Sequence, residues 1–290
     1  MNKPLNKITI IGVGLIGGSF AKAAKELGLA SEVMGYGRRA ESLQWGLDHG
    51  VLDCYTLEMA EAVQGADLVF LAVPLGMMEP MLQQMQPYLA DTTIVTDGGS
   101  AKTMFIEAAQ RVFGECPSQF VPGHPIAGKE ISGIEASDAQ LYVDHRVILT
   151  PTSTTSKQAL QTVEALWGAM GANVEQMSAQ FHDEVFAATS HLPHLLAFGL
   201  VDMLHEHPEL GNVFKYTAGG FRDFTRIASS DATMWRDIAL YNHSAIAKWL
   251  KEYQAHIGEM AQLVEAQDGE ALHQLFAQAK DARDTHILKK

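Results

Sequence analysis

A chain of 290 residues, 47% hydrophobic and 19% charged, has the length of one large or two ordinary domains and enough apolar content for a sizeable core. Its formal net charge of -13 argues against a nucleic-acid partner, because phosphate binding needs a basic footprint, and it makes any local cluster of arginines informative. Cys54 and Cys116 are too few for a disulfide framework or a metal site, which fits a reduced, cytoplasmic compartment; no apolar run reaches the ~20 residues of a membrane span.

The first element is a β-branched run, Ile8-Thr9-Ile10-Ile11, that enters Gly12-Val13-Gly14-Leu15-Ile16-Gly17 and continues as a helical Phe20-Ala21-Lys22-Ala23-Ala24-Lys25. A G-x-G-x-x-G turn between strand and helix predicts a dinucleotide site. Gly12 permits the tight turn, Gly14 lets the backbone approach a pyrophosphate, and Gly17 lets the helix pack closely on the strand. Leu15 and Ile16 open the helix whose unpaired N–H groups face the phosphates. A signal peptide is the alternative, since Lys3 and Lys7 precede the apolar run, but the glycines inside the run and the unbroken helical pattern argue against it.

Up to residue 177, short apolar runs at 7–11, 32–36, 68–73, 92–97, 119–121, 146–150 and 173–176 alternate with helical patterns at 40–49, 76–89, 102–113 and 156–170. This alternation predicts an α/β fold in which residues 1–177 form a Rossmann-type, doubly wound parallel sheet. The second run ends in Gly35-Tyr36-Gly37-Arg38-Arg39. Gly37 stands where an NAD site carries an acid for the ribose 2′-OH, and Arg38 and Arg39 could instead meet a 2′-phosphate through charge-assisted bonds. The arginines lean toward NADP; Arg39 as a solvated helix residue, with backbone contacts holding the cofactor, leaves NAD open. Val73-Pro74 lies where the chain would pass the nicotinamide ribose.

From 178 to 290 the strand signal stops and the text is helical, with stripes such as Leu195, Phe198, Gly199, Asp202 and Met203, and later Ile246, Trp249, Tyr253, Ile257 and Met260. An all-helical second domain supplies a substrate cleft, an oligomer interface, or both; a helical cap without a shared interface is the plainer alternative.

Three stretches combine turn residues with reactive side chains. Asp97-Gly98-Gly99-Ser100-Ala101-Lys102 lies at the carboxyl end of a strand, where ligands of open α/β sheets sit; Ser100 is either a hydroxyl donor over the cleft or the N-cap of the next helix. Gly123-His124-Pro125 places a histidine on a rigid, irregular loop, so His124 is a candidate proton acceptor at neutral pH or a structural loop residue. Ser190-His191-Leu192-Pro193-His194 reads as a helix start capped by Ser190, with His191 and His194 spaced to face one cleft. With His182 nearby a metal is conceivable, yet no carboxylate or cysteine completes a ligand set, so no metal is expected. From Lys215 to Arg236 four basic residues face two acidic ones, a positive island in an acidic chain. Arg222 and Arg236 are expected to pair with Asp223 and Asp237, which leaves Arg226 as the clamp for a substrate carboxylate.

Together, Gly12 to Ser19, Asp97 to Lys102, Gly123 to Gly133, Ser190 to His194 and Gly219 to Ile238 resemble the prephenate/arogenate (cyclohexadienyl) dehydrogenases of tyrosine biosynthesis. The resemblance implies a Rossmann domain followed by a helical domain (178–290) that makes a homodimer, with the active site between the two. It implies oxidative decarboxylation of prephenate to 4-hydroxyphenylpyruvate and CO2, or of arogenate to tyrosine and CO2, with NAD or NADP. His124 would take the proton of the ring hydroxyl, Ser100 would bond that hydroxyl, and Arg226 would hold a carboxylate. Glu130, His191, His194, Asp223 and Trp235 match positions around the family's substrate pocket. Neither an ACT module nor a chorismate mutase domain is expected. The rival readings are another Rossmann hydroxy-acid dehydrogenase, for which no matching catalytic lysine is found, and a non-catalytic NADP-binding sensor.

Overall fold

The structure is a computed structural model and describes residues 3–129 and 131–287. Glu130 therefore lies outside the described residues. The chain divides into two compact units, Met1–His243 and Ser244–Lys290.

The opening β-branched run folds as β1 (Leu5–Ile11), whose last four residues are buried, and the glycine turn passes into α1 (Leu15–Glu26). β2 (Ala30–Tyr36), α2 (Ala40–Asp48), β3 (Cys54–Thr56), α3 (Met59–Val63), β4 (Leu68–Leu71), α4 (Leu75–Met85), β5 (Ile94–Asp97), α5 (Thr103–Phe113) and β6 (Phe120–Val121) follow. The six strands form one parallel sheet in the order β3-β2-β1-β4-β5-β6. That order reverses between β1 and β4, and the crevice outside the carboxyl ends at such a switch point is where open α/β sheets bind ligands. β4 is buried along its whole length, as a strand covered on both faces must be. β3 and α3 escape a periodicity reading because they are only three and five residues long.

Two of the expected strands belong elsewhere. β7 (Gly123–Pro125), β8 (Arg146–Leu149) and β9 (Asn173–Gln176) make a second, mixed sheet, with β7 antiparallel to β8 and β8 parallel to β9. The irregular loop expected around His124 is thus a short strand, in which His124 pairs with Ile148. Only Pro122 separates β6 from β7, so the chain changes sheets just ahead of this histidine. α6 (Lys157–Ala169) closes the second layer, and its Trp167 is fully buried against Phe20 of α1 and Phe70 of β4, with ring centroids 4.9 and 5.7 Å away. Edge-on aromatic packing of this kind adds to area burial and ties the small sheet to the large one.

α7 (Ala179–Phe186) is followed by a π-helical turn (Ala187–His191) and α8 (Leu192–His205), so helix runs on through the stretch read as a helix start. Ser190 is not an N-cap: it sits inside the π turn, and its carbonyl accepts from Nδ1 of His194 at 2.9 Å. The wider turn precedes Pro193, whose missing N–H and bulky ring an uninterrupted α-helix would not accommodate. Beyond α8 come short 3₁₀ turns, α9 (Gly219–Thr225) and α10 (Ala232–Tyr241).

The second unit consists of α11 (His243–Glu265), which begins at the junction, and α12 (Gly269–His286), capped by Asp268. On α11, Leu250, Tyr253, Ile257 and Val264 are all exposed at a spacing that lines one face. Among the described residues no helix is long and apolar enough to cross a membrane.

Candidate active site

The glycine turn has the geometry its sequence requires. Gly12 takes φ +93°, and a Cβ there would lie 2.5 Å from the carbonyl oxygen of Ala72; a Cβ on Gly17 would lie 2.2 Å from that of Gly12. Only glycine tolerates either position. Gly14 has open space around it, α1 begins with no side-chain cap, and its first turn holds no acid. Leu15 and Ile16 are in that first turn. The leading N–H groups and the positive helix end therefore face an open, uncontested space that fits the pyrophosphate of a dinucleotide. Val73 and Pro74 follow β4 beside this turn, Pro74 at the N-cap of α4. Arg38 and Arg39 are exposed just past β2. A Cβ on Gly37 would meet nothing nearer than 3.6 Å, so packing does not forbid an acid there.

At the end of β5, Asp97 organises the adjoining loops. Its Oδ1 accepts the amide of Gly123 at 3.0 Å and its Oδ2 accepts that of Gly99 at 2.8 Å. Lys102, fully buried, pairs with the same carboxylate and donates to the carbonyl of Gly123 at 2.6 Å. Burial pulls the Lys102 ammonium below its ordinary pKa while Asp97 opposes that shift. This network binds the Ser100 turn to the strand that carries His124. Ser100 is not the N-cap of α5, which starts without a side-chain cap of its own. The amides of Lys102 and Thr103 are met instead by the two carboxylate oxygens of Asp183, on α7, at 2.8 and 2.9 Å.

His124 faces α7. Its Nδ1 lies 2.8 Å from Nε2 of His182, and Nδ1 of His182 lies 2.8 Å from Oδ1 of Asp183. Burial, with His182, Lys102 and His191 nearby, holds His124 well below its ordinary pKa, so the ring is neutral at pH 7. His191 is buried and pushed down to about 4, mainly by burial; its Nδ1 meets Asn242, whose Nδ2 also donates to the carbonyl of Asp183. His194 stacks on Trp235 at 3.8 Å between centroids, and burial, with Arg226 contributing, lowers its pKa. Nε1 of Trp235 is buried without a hydrogen-bond partner among the described residues.

The structure thus gathers His124, His191, His194, Trp235 and Arg226 into one neighbourhood. Asp223 is exposed on α9. Arg236 pairs with Asp237 at 2.6 Å, as expected. Sequence reasoning quoted Lys102 only as the end of a motif, missed Asp183 and Asn242, and weighed His182 only as a metal ligand. The signal was there: Ala179, His182, Asp183 and Phe186 follow the i, i+3, i+4, i+7 spacing of a core face, and two of the four are polar. Among the described residues no group of three acids, cysteines or histidines could hold a metal ion.

The profile of the prephenate dehydrogenase nucleotide-binding domain matches residues 20–176, and that of the prephenate dehydrogenase dimerization domain matches residues 178–278. The chain belongs to the prephenate dehydrogenase family. It is 37% identical to the cyclohexadienyl dehydrogenase of Zymomonas mobilis, over 95% of this chain and 94% of that enzyme. Its fold matches prephenate dehydrogenase from Aquifex aeolicus in complex with hydroxyphenyl propionate and NAD+, with a TM-score of 0.91 and 36% identity over 98% of this chain and 99% of that one. Arogenate dehydrogenase from Synechocystis superposes with a TM-score of 0.83 at 28% identity, over 97% of this chain and all (100%) of that one. Among prephenate dehydrogenases, then, this chain carries the family's nucleotide-binding half over residues 20–176, a match that begins just after the glycine turn described above.

Proposed function

We propose that the protein catalyses the NAD(P)-dependent oxidative decarboxylation of prephenate, of arogenate, or of both, with residues 1–177 holding the dinucleotide and residues 178–290 completing the substrate site and pairing two copies. The family profiles part between residues 176 and 178, which supports that division. The observation that carries the reading is a neutral His124 at the carboxyl end of the sheet, tied through Asp97 and Lys102 to the Ser100 turn.

The backbone around Gly12, Gly14, Leu15, Ile16 and Gly17 would hold the pyrophosphate, with Val73 and Pro74 beside the nicotinamide ribose. A nicotinamide dinucleotide bound there supplies the hydride acceptor. His124 accepts the proton of the C4 hydroxyl as hydride leaves the same carbon, and Ser100 hydrogen-bonds that hydroxyl to orient it. Loss of the ring carboxylate as CO2 then aromatises the ring, which makes the reaction run forward. Arg226 holds a substrate carboxylate through its planar fork, and His191, His194 and Trp235 shape the pocket around it. Glu130 and Asp223 belong to the same pocket by family position.

For the cofactor we favour NADP. The space at Gly37 would admit an acid and holds none, while two exposed arginines follow at once. Losing charge-assisted bonds of ~1.5–3 kcal/mol in the Arg38→Ala/Arg39→Ala protein should raise KM for NADP roughly 10- to 100-fold and leave NAD nearly unchanged. Initial rates with prephenate and arogenate, each crossed with NAD and NADP, test the whole reading. Reduction with at least one pair is expected, and none with any pair would overturn it.

A further inference from the structure

The contacts of α7 determine which nitrogen of His124 carries its proton. The two carboxylate oxygens of Asp183 accept backbone N–H groups, Oδ1 from Lys102 and Oδ2 from Thr103, and an amide can only donate. Burial on its own would raise the pKa of Asp183, but its hydrogen bonds from His182, Thr103 and Lys102 outweigh that and keep it ionised. An ionised carboxylate is acceptor-only, so Nδ1 of His182, 2.8 Å from Oδ1, must carry hydrogen. His182 is neutral, its pKa lowered chiefly by burial, which leaves a bare lone pair on its Nε2. That lone pair faces Nδ1 of His124 at 2.8 Å, and only an N–H can stand opposite it. The hydrogen of neutral His124 is therefore on Nδ1, and the lone pair that can take a proton is on Nε2.

We propose that His182 and Asp183 are positioning residues for His124: they fix its neutral ring as the Nδ1–H tautomer, and His182 takes over the positive charge once Nε2 is protonated. This rests on the reading of His124 as the base of the reaction. The transfer is balanced. A bond forms between the substrate proton and Nε2 of His124, the Nδ1–H bond breaks, and that proton joins Nε2 of His182. His124 ends neutral, and the new imidazolium lies against the Asp183 carboxylate.

The charges around the two rings favour this direction. His124 is faced by the Lys102 ammonium, which repels a cation, in a site where burial already opposes one. His182 is also buried and also near Lys102, but Asp183 and Asp97 both favour its charged form. The same carboxylate caps the first amides of α5, so the tautomer is set by the element that anchors the helix after the Ser100 turn.

The test combines nitrogen NMR of ¹⁵N-histidine-labelled protein with kinetics. The His124 signals are assigned by their loss in His124→Asn. Wild-type His124 should show a protonated Nδ1 and a bare Nε2, and His182→Leu should move the proton to Nε2. Because the wrong tautomer forfeits most of a general base's contribution, His182→Leu should lose roughly 10- to 100-fold in kcat with KM changed less than about threefold. His182→Gln keeps an acceptor oxygen for Nδ1–H, and should restore the tautomer and part of the turnover. Residues that act as a unit are not additive, so the double variant His124→Asn/His182→Leu should be no slower than His124→Asn alone. A protonated Nε2 in the wild-type protein, a kcat for His182→Leu within about twofold of wild type, or additive losses in the double variant would overturn the proposal. Full turnover in His124→Asn would overturn the base reading instead, and the NMR signature, which needs no turnover, tells the two failures apart.

Discussion

A histidine that accepts a proton must present a lone pair at the working pH, and burial among His182, Lys102 and His191 keeps that lone pair on His124 well into acid. The sign follows directly. The base works when neutral, so activity is present above its pKa and is lost as pH falls through it. Because that pKa lies well below the ordinary 6.5, the acid limb of the kcat/KM–pH profile, which reports the free enzyme, should have its midpoint below 6.5. His124→Asn should lose roughly 10²–10⁴ in kcat with little change in substrate affinity, measured at pH 7 to 8 in steady state. Arg226 is exposed in the single chain, so the proposed contact from it to a substrate carboxylate would resemble a charge-assisted hydrogen bond more than a buried ion pair. Arg226→Ala should raise KM for the substrate about 10- to 100-fold and barely alter KM for the dinucleotide. Lysine should rescue only in part. A loss of both affinities together, with the dimer dissociating, would make Arg226 an interface strut. His191 predicts a stability effect of its own. Its folded pKa of about 4 lies below the unfolded value of 6.5, so the unfolded chain binds the extra proton between those pH values and stability falls as pH drops through that window. Between pH 8 and pH 5 the loss from His191 should be about 2 kcal/mol, and a His191→Gln protein should lose that much less in denaturant titrations at the two pH values.

At the scale of elements, what the sequence made legible followed the strength of its periodicity. The glycine turn could be read residue by residue because a strand, a G-x-G-x-x-G and a helix each carry their own local signal. Long helices such as α6, where Ser156 caps by accepting from Ala159, were equally plain. Pairing partners were not, because a strand's sheet depends on contacts distant in sequence. Nothing local in Arg146-Val147-Ile148-Leu149 says that it joins His124's strand and not the parallel sheet. Nor does Ser190 announce a π turn, since its cap-like character is a local propensity that tertiary packing overrode. The candidate site was legible where glycine or proline flanks a reactive side chain in the sequence, as around His124 and Ser100, and hidden where polar side chains occupy a helix face, as His182 and Asp183 do. The exposed stripe on α11 supports a prediction at this scale. Leu250, Tyr253, Ile257 and Val264 are 36–61% exposed, which is costly for a single copy and ordinary at an interface between two. Replacing Tyr253 and Ile257 with Glu should shift the protein toward monomer in analytical ultracentrifugation and lower activity as the helical half loosens. An unchanged dimer would place the interface elsewhere.

For the whole molecule, a net charge of -13 repels a substrate that carries two carboxylates. Binding therefore depends on local cations, and the basic stretch from Lys215 to Arg236 is where the helical half concentrates them. Because exposed charges are screened over ~8–10 Å at physiological ionic strength, added salt should weaken that capture as well as the general repulsion. Besides the hydroxyl O–H, the chemistry also requires two bonds to carbon to break in one turnover, C4–H and the bond to the ring carboxylate. A simple hydroxy-acid dehydrogenase breaks only the first. The most direct measurement is the ratio of carbon dioxide to reduced dinucleotide, using substrate labelled in the ring carboxylate. One labelled CO2 released per dinucleotide reduced is the result predicted here; reduction with the label retained on the product would contradict it.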